Sequence, residues 1–177
     1  CLADEEGGSG CSSVPFWGLG LSSRRNLCIN ERALEAKMGK AVDSKCHSMT
    51  ASWVRNRPGT ELCDYFERLE RVKEELTVPT GVYTLDDLRE YGRQAGLCPY
   101  FLARKMMNQA SVIIYSYYYL LDPKVASLVS RDLPRDAIVI FDEAHNIDNV
   151  CIESLSVDLS RFAVEAASRS LTQLTIH

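Results

Sequence analysis

Asp142-Glu143-Ala144-His145 directly follows the apolar run Ala137-Ile-Val-Ile-Phe141. Read as a strand, that run delivers the acids beyond its carboxyl end, where ligands bind in open parallel sheets. Nucleotide hydrolysis needs one carboxylate to hold hydrated Mg²⁺ and a second to orient the attacking water. Adjacent Asp142 and Glu143 supply both, with His145 two residues on. The bland alternative, polar residues that merely end a surface strand, does not account for the order of strand, acids and His. A phosphate cradle is missing. No G-x-x-x-x-G-K-[ST] occurs: Gly39-Lys40 is followed by Ala41, and Gly18 with Gly20 makes only a bare G-x-G. The chain on its own is therefore not expected to turn over ATP.

Cysteine is the second chemical signal. There are seven, an odd number, so complete internal pairing is impossible, and the reducing cytosol or nucleus is the expected compartment. Cys28, Cys46, Cys63 and Cys98 are separated by 17, 16 and 34 residues. Short C-x₂-C spacing, the usual zinc signal, is absent. Four thiolates can hold a [4Fe–4S] cluster, and Cys98-Pro99 echoes the Cys-Pro of bacterial ferredoxins. Spacing alone leaves ordinary buried thiols open, and His47 beside Cys46 leaves a zinc ligand open. Cys1 and Cys11 lie in a loop-like start, and Cys151 reads as core.

The elements that must position these residues follow from pattern. Residues 1–13 read as a flexible acidic connection and Phe16 to Leu21 as a short strand. From Cys28 to Gln109 the pattern is helical, broken by turns. Phe66, Leu69, Val72 and Leu76 give one helix an apolar stripe, with Glu67 and Arg71 as an ion pair four apart. Thr84-Leu-Asp-Asp87 is a capping box whose helix should stop at Gly96, and Pro99 suits the first turn of the next. After Ala110 the runs Ser111 to Ser116 and Ala137 to Phe141 look like strands buried on both faces of a parallel sheet, joined through a helical stretch, Tyr117 to Arg131, as a β-α-β unit. An amphipathic helix over Leu159 to Leu174 closes the chain. The fold class is α/β.

Composition bounds the rest. With 177 residues, 46% hydrophobic and 25% charged, disorder and collagen are excluded. No apolar run approaches the roughly 20 residues that span a bilayer, so a membrane partner is not expected. The acidic start lacks a secretory signal and, without an initiator Met, reads as mid-chain. Net charge is −4, yet Ser22 to Arg57 holds eight Lys/Arg against three Asp/Glu, a local +5 that includes Trp53 and leaves −9 for the remainder. Such a segment suits a phosphate backbone with an aromatic for stacking, or a solvated charged surface.

The stretches Leu21-Ser-Ser-Arg-Arg-Asn-Leu-Cys-Ile29, Lys45-Cys-His-Ser-Met-Thr-Ala51, Gly96-Leu-Cys-Pro-Tyr-Phe-Leu-Ala-Arg104, Tyr115-Ser-Tyr-Tyr-Tyr-Leu-Leu-Asp-Pro-Lys124 and Phe141-Asp-Glu-Ala-His-Asn-Ile-Asp-Asn-Val-Cys151 together resemble the XPD family of iron–sulfur superfamily 2 DNA helicases. The resemblance runs from about Pro15 onward. It implies part of a RecA-like parallel-sheet motor domain with an inserted small, mainly helical [4Fe–4S] domain. The implied activity is an ATP-dependent 5′ to 3′ DNA helicase of the TFIIH factor, acting in the nucleus in nucleotide excision repair and transcription initiation. The resemblance further implies cluster ligands Cys28, Cys46, Cys63 and Cys98, Walker B acids Asp142 and Glu143 with coupling His145, and DNA contacts at Arg24, Tyr100 and Arg104. ATP and Mg²⁺ serve the intact enzyme; single-stranded DNA and other TFIIH subunits are the implied partners.

The same resemblance divides the chain into 1–18 (connection and part of the motor), 19–109 (cluster domain), 110–156 (motor with DEAH) and 157–177 (start of an Arch domain). The family's P-loop and second motor domain have no counterpart here, so the sequence reads as a piece of an enzyme. Two other classes remain open: a metal-stabilised DNA-binding or scaffold module without catalysis, and an electron carrier or redox sensor built on the cluster.

Overall fold

Phe16 to Leu21 forms the central strand in the computed structural model, β1 (Trp17–Gly20), with Leu19 almost fully buried. The structure describes residues 15–175 apart from 37, 56, 58, 73–75, 124, 127–133, 135 and 158. The connection read over residues 1–13, with Cys1 and Cys11, lies outside the described residues, as does the end of the helix read over Tyr117 to Arg131. The chain divides into two units, 1–116 and 117–177.

The first unit is α/β. Strand β1 pairs in parallel with β2 (Gly81–Tyr83) on one side, Gly18 opposite Val82, and with β3 (Val112–Ile114) on the other, Leu19 opposite Ile113. Parallel neighbours require long crossovers. The first runs through α1 (Arg24–Leu27), α2 (Glu31–Leu34), α3 (Gly39–Thr50), α4 (Ser52–Arg55) and α5 (Asp64–Val72); the second through α6 (Leu85–Ala95) and α7 (Pro99–Met106). Strand β2 lies inside the stretch read as helices broken by turns. Three residues hold too little pattern to announce a strand, and it exists because the Gly81 N–H reaches the Phe16 carbonyl (3.0 Å) and β1 lies alongside.

The core of this unit is Leu19, Leu27, Val42, Leu69, Leu88 and Leu102, each at most 1% exposed, with no buried polar or charged residue among those described. Burial of each such side chain contributes roughly 1.5–3 kcal/mol. Helix α5 turns Leu69 inward as its stripe requires, but Glu67 reaches across to Arg55 (2.8 Å) rather than being left to a neighbour on its own helix. Helix α6 starts and stops where its residues dictate. Thr84 and Asp87 form the complete capping box, and Gly96 closes the helix in the left-handed region at φ 67°. Gly92 permits a close approach: a Cβ there would lie 2.5 Å from Pro99 Cγ, so only glycine lets α7 start against the end of α6.

In the second unit, α8 (Tyr118–Leu121), α9 (Ile147–Leu155) and α10 (Arg161–Thr175) are helical, α10 covering the amphipathic segment read from sequence. The expected strand Ala137 to Phe141 is not formed. These residues are irregular, with Ile138 89% and Ile140 86% exposed. The correction has a plain cause: strand propensity is expressed through pairing and packing, and among the described residues this run joins no ladder. Every fully buried residue of those described belongs to the first unit. No described helix is long and apolar enough to cross a membrane.

Replacing Thr84 by Ala removes the cap oxygen and should lower stability by about 1 kcal/mol, read as a lower urea midpoint at unchanged slope. Hydrogen bonds from the Thr84 side chain, then from its backbone, hold the Asp87 carboxyl below its ordinary range. A carboxylate depressed on folding stabilises above its unfolded value, about 3.9, and ceases to as pH falls through the folded one. The stability difference between the wild type and Asp87→Asn should therefore shrink below about pH 4.

Candidate functional site

Four cysteines from four places in the two crossovers face one pocket. Cys28 ends α1, its N–H on the Arg24 carbonyl at 2.7 Å; Cys46 lies within α3; Cys63 precedes α5, its N–H on the Met49 carbonyl at 3.2 Å; Cys98 is the N-cap of α7, its N–H on the Tyr65 carbonyl at 3.1 Å. All four are free thiols, and three are buried. With Ala33, Met49 and Tyr65 they line one small pocket, a cavity of about 10 Å³. Among the described residues no three His, Cys, Asp or Glu side chains form a group that could hold a metal ion.

Electrostatics there disfavours isolated thiolates. Burial pushes the Cys98 thiol up to about 12, and Cys63, Cys46 and Cys28 add to the rise against a backbone hydrogen bond from Phe101. Burial also raises Cys28 and Cys46, the latter opposed chiefly by the Arg24 guanidinium. A positively charged group in the pocket would reverse this balance, because it favours the deprotonated ligand form. Asn30 donates from Nδ2 to Cys63 Sγ at 3.2 Å. His47, the zinc alternative, is exposed on α3 and faces the Trp53 ring at 6.2 Å rather than lining the pocket.

Beside the cysteines, Arg24, Tyr100 and Arg104 form one cluster. The Arg24 guanidinium lies over the Tyr100 ring at 4.5 Å from its centroid, and Arg104 donates from Nη1 to the Tyr100 hydroxyl at 2.7 Å. Tyr100 itself is 7% exposed and packs edge-on against Phe101. Burial works to lower the Arg24 guanidinium, but Tyr100, Cys46 and Asp43 outweigh it and the net direction is upward. Asp43, 3.5 Å from Nη1, was not singled out in the sequence, since nothing local ties it to a residue nineteen positions away. Arg24 Nε is buried without a hydrogen-bond partner. Several cations of the +5 segment are answered internally: Arg24 by Asp43, Arg32 by Glu61 and Arg55 by Glu67. Trp53 remains 54% exposed with Arg57 over its ring.

In the second unit, Asp142 and Glu143 occupy a turn ahead of α9. Glu143 takes left-handed backbone angles, φ 50° and ψ 45°, a conformation costing a non-glycine residue roughly 1–2 kcal/mol. It sits 3.3 Å from His145 Nδ1, both side chains open to solvent. Phe141, just before the acids, stacks on Tyr117 at 6.0 Å, and the Tyr118 hydroxyl donates to the Glu153 carboxylate on α9. The structure thus groups the cysteines with Arg24, Tyr100 and Arg104, and separately groups Glu143 with His145. Asn30 and Phe101 were missed; Asn30 at least carries a local signal, an N-cap residue ahead of Glu31-Arg-Ala-Leu34.

The family model DEAD_2 matches residues 10–164. Over 160 residues the chain is 54% identical to the general transcription and DNA repair factor IIH helicase subunit XPD of Arabidopsis thaliana, covering 88% of this chain and 21% of that protein. The corresponding subunit of Schizosaccharomyces pombe is 50% identical over 164 residues, 90% of this chain and 21% of its own length. The mouse regulator of telomere elongation helicase 1 is 33% identical over 154 residues, 87% of this chain and 12% of that protein. The chain therefore spans about a fifth of the length of the curated XPD relatives it matches.

A thiol held neutral by burial resists alkylation. Metal-free protein treated with iodoacetamide at pH 8.5 should carry label on half-buried Cys151 while Cys98 stays unmodified until the pH approaches about 12. Peptide mass mapping reads the result, and equal labelling of the two would contradict the buried neutral thiol.

Proposed function

The chain belongs to the DEAD_2 family, and on that premise we propose that it is a segment of a nuclear ATP-dependent 5′ to 3′ DNA helicase, the XPD-type subunit of transcription and repair factor IIH. In this reading it contributes a [4Fe–4S] domain, residues 19–109, inserted in a RecA-like motor, the Walker B acids within 110–156, and the start of an Arch domain at 157–177. The single observation that carries the reading is the meeting of Cys28, Cys46, Cys63 and Cys98 around one pocket beside Arg24 and Arg104. The higher identity to the factor IIH subunits than to the telomere regulator favours the former type.

The donor set fits a cluster. Four thiols lining one pocket, with no imidazole or carboxylate among them, are the ligand set of a [4Fe–4S] group. When bound, the cluster would supply four cross-links between otherwise separate helices and the positive metal charge that keeps the sulfurs deprotonated. Around it the chain's own residues act on DNA. Tyr100, buried between two guanidinium groups, positions Arg24 and Arg104 to meet phosphates without reading sequence. A buried ring is a support for these cations rather than an open platform for a base. Exposed Trp53 with Arg57 is the aromatic surface left for stacking. At the ATP site of the intact motor, Asp142 would hold the hydrated Mg²⁺ and Glu143 would orient the attacking water, with His145 sensing Glu143 through the contact between them.

Two measurements on the intact helicase test this reading. Anaerobically purified protein should contain about four irons and four sulfides per chain, lost on Cys63→Ser; zinc without sulfide would overturn the cluster. Glu143→Gln should abolish ATP hydrolysis and leave single-strand affinity unchanged, whereas retained hydrolysis removes Glu143 from catalysis.

A further inference from the structure

Both ends of the Asn30 amide are engaged. Oδ1 accepts the Arg32 backbone N–H at 3.1 Å, capping α2, and Nδ2 donates to Cys63 Sγ at 3.2 Å. Oxygen and nitrogen of an amide have the same shape, but here chemistry fixes their order. A backbone N–H can be met only by the oxygen, so the NH₂ group must face the sulfur. The Asn30 carbonyl also accepts from the Cys28 thiol at 3.8 Å. One residue thus touches two of the four sulfurs, brought together from positions 35 residues apart in the chain.

Capping α2 does not explain the choice of residue, since Asp and Ser cap as well as Asn. Only the amide carries a donor on a separate atom from the cap oxygen. An N–H bond to a ligand sulfur withdraws electron density, which stabilises the more reduced cluster and raises its potential. It also fixes the ligand's orientation, and loss of such outer partners weakens metal retention. We propose that Asn30, through its Nδ2–H bond to Cys63 Sγ, raises the reduction potential of the cluster and slows its loss, while Oδ1 ties that donor to the start of α2. The inference rests on the cluster reading above.

The test uses the full-length helicase. Asn30→Asp keeps the cap oxygen and replaces the donor by an acceptor; Asn30→Ser keeps a cap without added charge. Iron and sulfide content, the midpoint potential by protein-film voltammetry and the rate of iron release to bathophenanthroline are measured alongside far-UV circular dichroism. Both variants should show a lower potential, Asp more than Ser, and iron release faster by roughly ten-fold. Iron already lost during purification, with helix content intact, supports the retention role. Wild-type potential and release rate in both variants overturn the inference and leave the cluster standing, as does iron loss that accompanies loss of helix, which assigns Asn30 to capping alone. Absence of iron and sulfide from the wild type overturns both.

Discussion

Parallel pairing of β1 with β2 on one side and β3 on the other obliges the chain to leave the sheet and return twice. Cys28, Cys46 and Cys63 ride on the first excursion and Cys98 on the second. What joins them is a seam between the excursions: the Cys98 N–H on the Tyr65 carbonyl and the Phe66 ring 4.6 Å from Phe101. Without the seam the fourth thiol belongs to a different part of the surface. With it, two loops of one sheet act as walls of a single pocket.

The pocket shapes its surroundings electrically as well. The buried core of the described residues holds no polar or charged side chain, so the thiols face few groups able to balance a charge. Arg24 is one such group, acting on Cys46, and it stacks on Tyr100 and pairs with Asp43. A guanidinium tolerates this partial burial because its charge is delocalised and weakly hydrated. The Arg24, Tyr100 and Arg104 cluster and the sulfur pocket are therefore coupled through one side chain. Disturbing either end alters the field at the other.

How far the sequence foretold this depends on the range of each interaction. Local chemistry was legible: the Thr84 to Asp87 box, the Gly96 stop and the Pro99 start all stand where their residues require. Interactions across the fold were not. Glu67 has an eligible partner at Arg71 four residues on, yet meets Arg55 twelve residues back. Gly81-Val-Tyr83 becomes a strand only beside β1, while Ala137 to Phe141, richer in strand formers, has no described partner and stays irregular. The cysteine set follows the same rule. Spacing could not select those four among seven; resemblance named them, and the crossovers bring them together. Asn30 escaped notice because its sulfur partner lies 33 residues away.

The placement of Cys98 on the second excursion also sets an order of events during synthesis. Cys98 follows Cys28 by 70 residues, and a chain growing at about 5–20 residues per second delivers it roughly 4–14 s after the first thiol. Throughout that interval the nascent chain presents at most three of the four thiols and an incomplete wall. Any group held by all four thiols would therefore wait until α7 has emerged and docked. The complete four-thiol pocket is thus a property of the nearly finished unit rather than of any linear stretch of the chain.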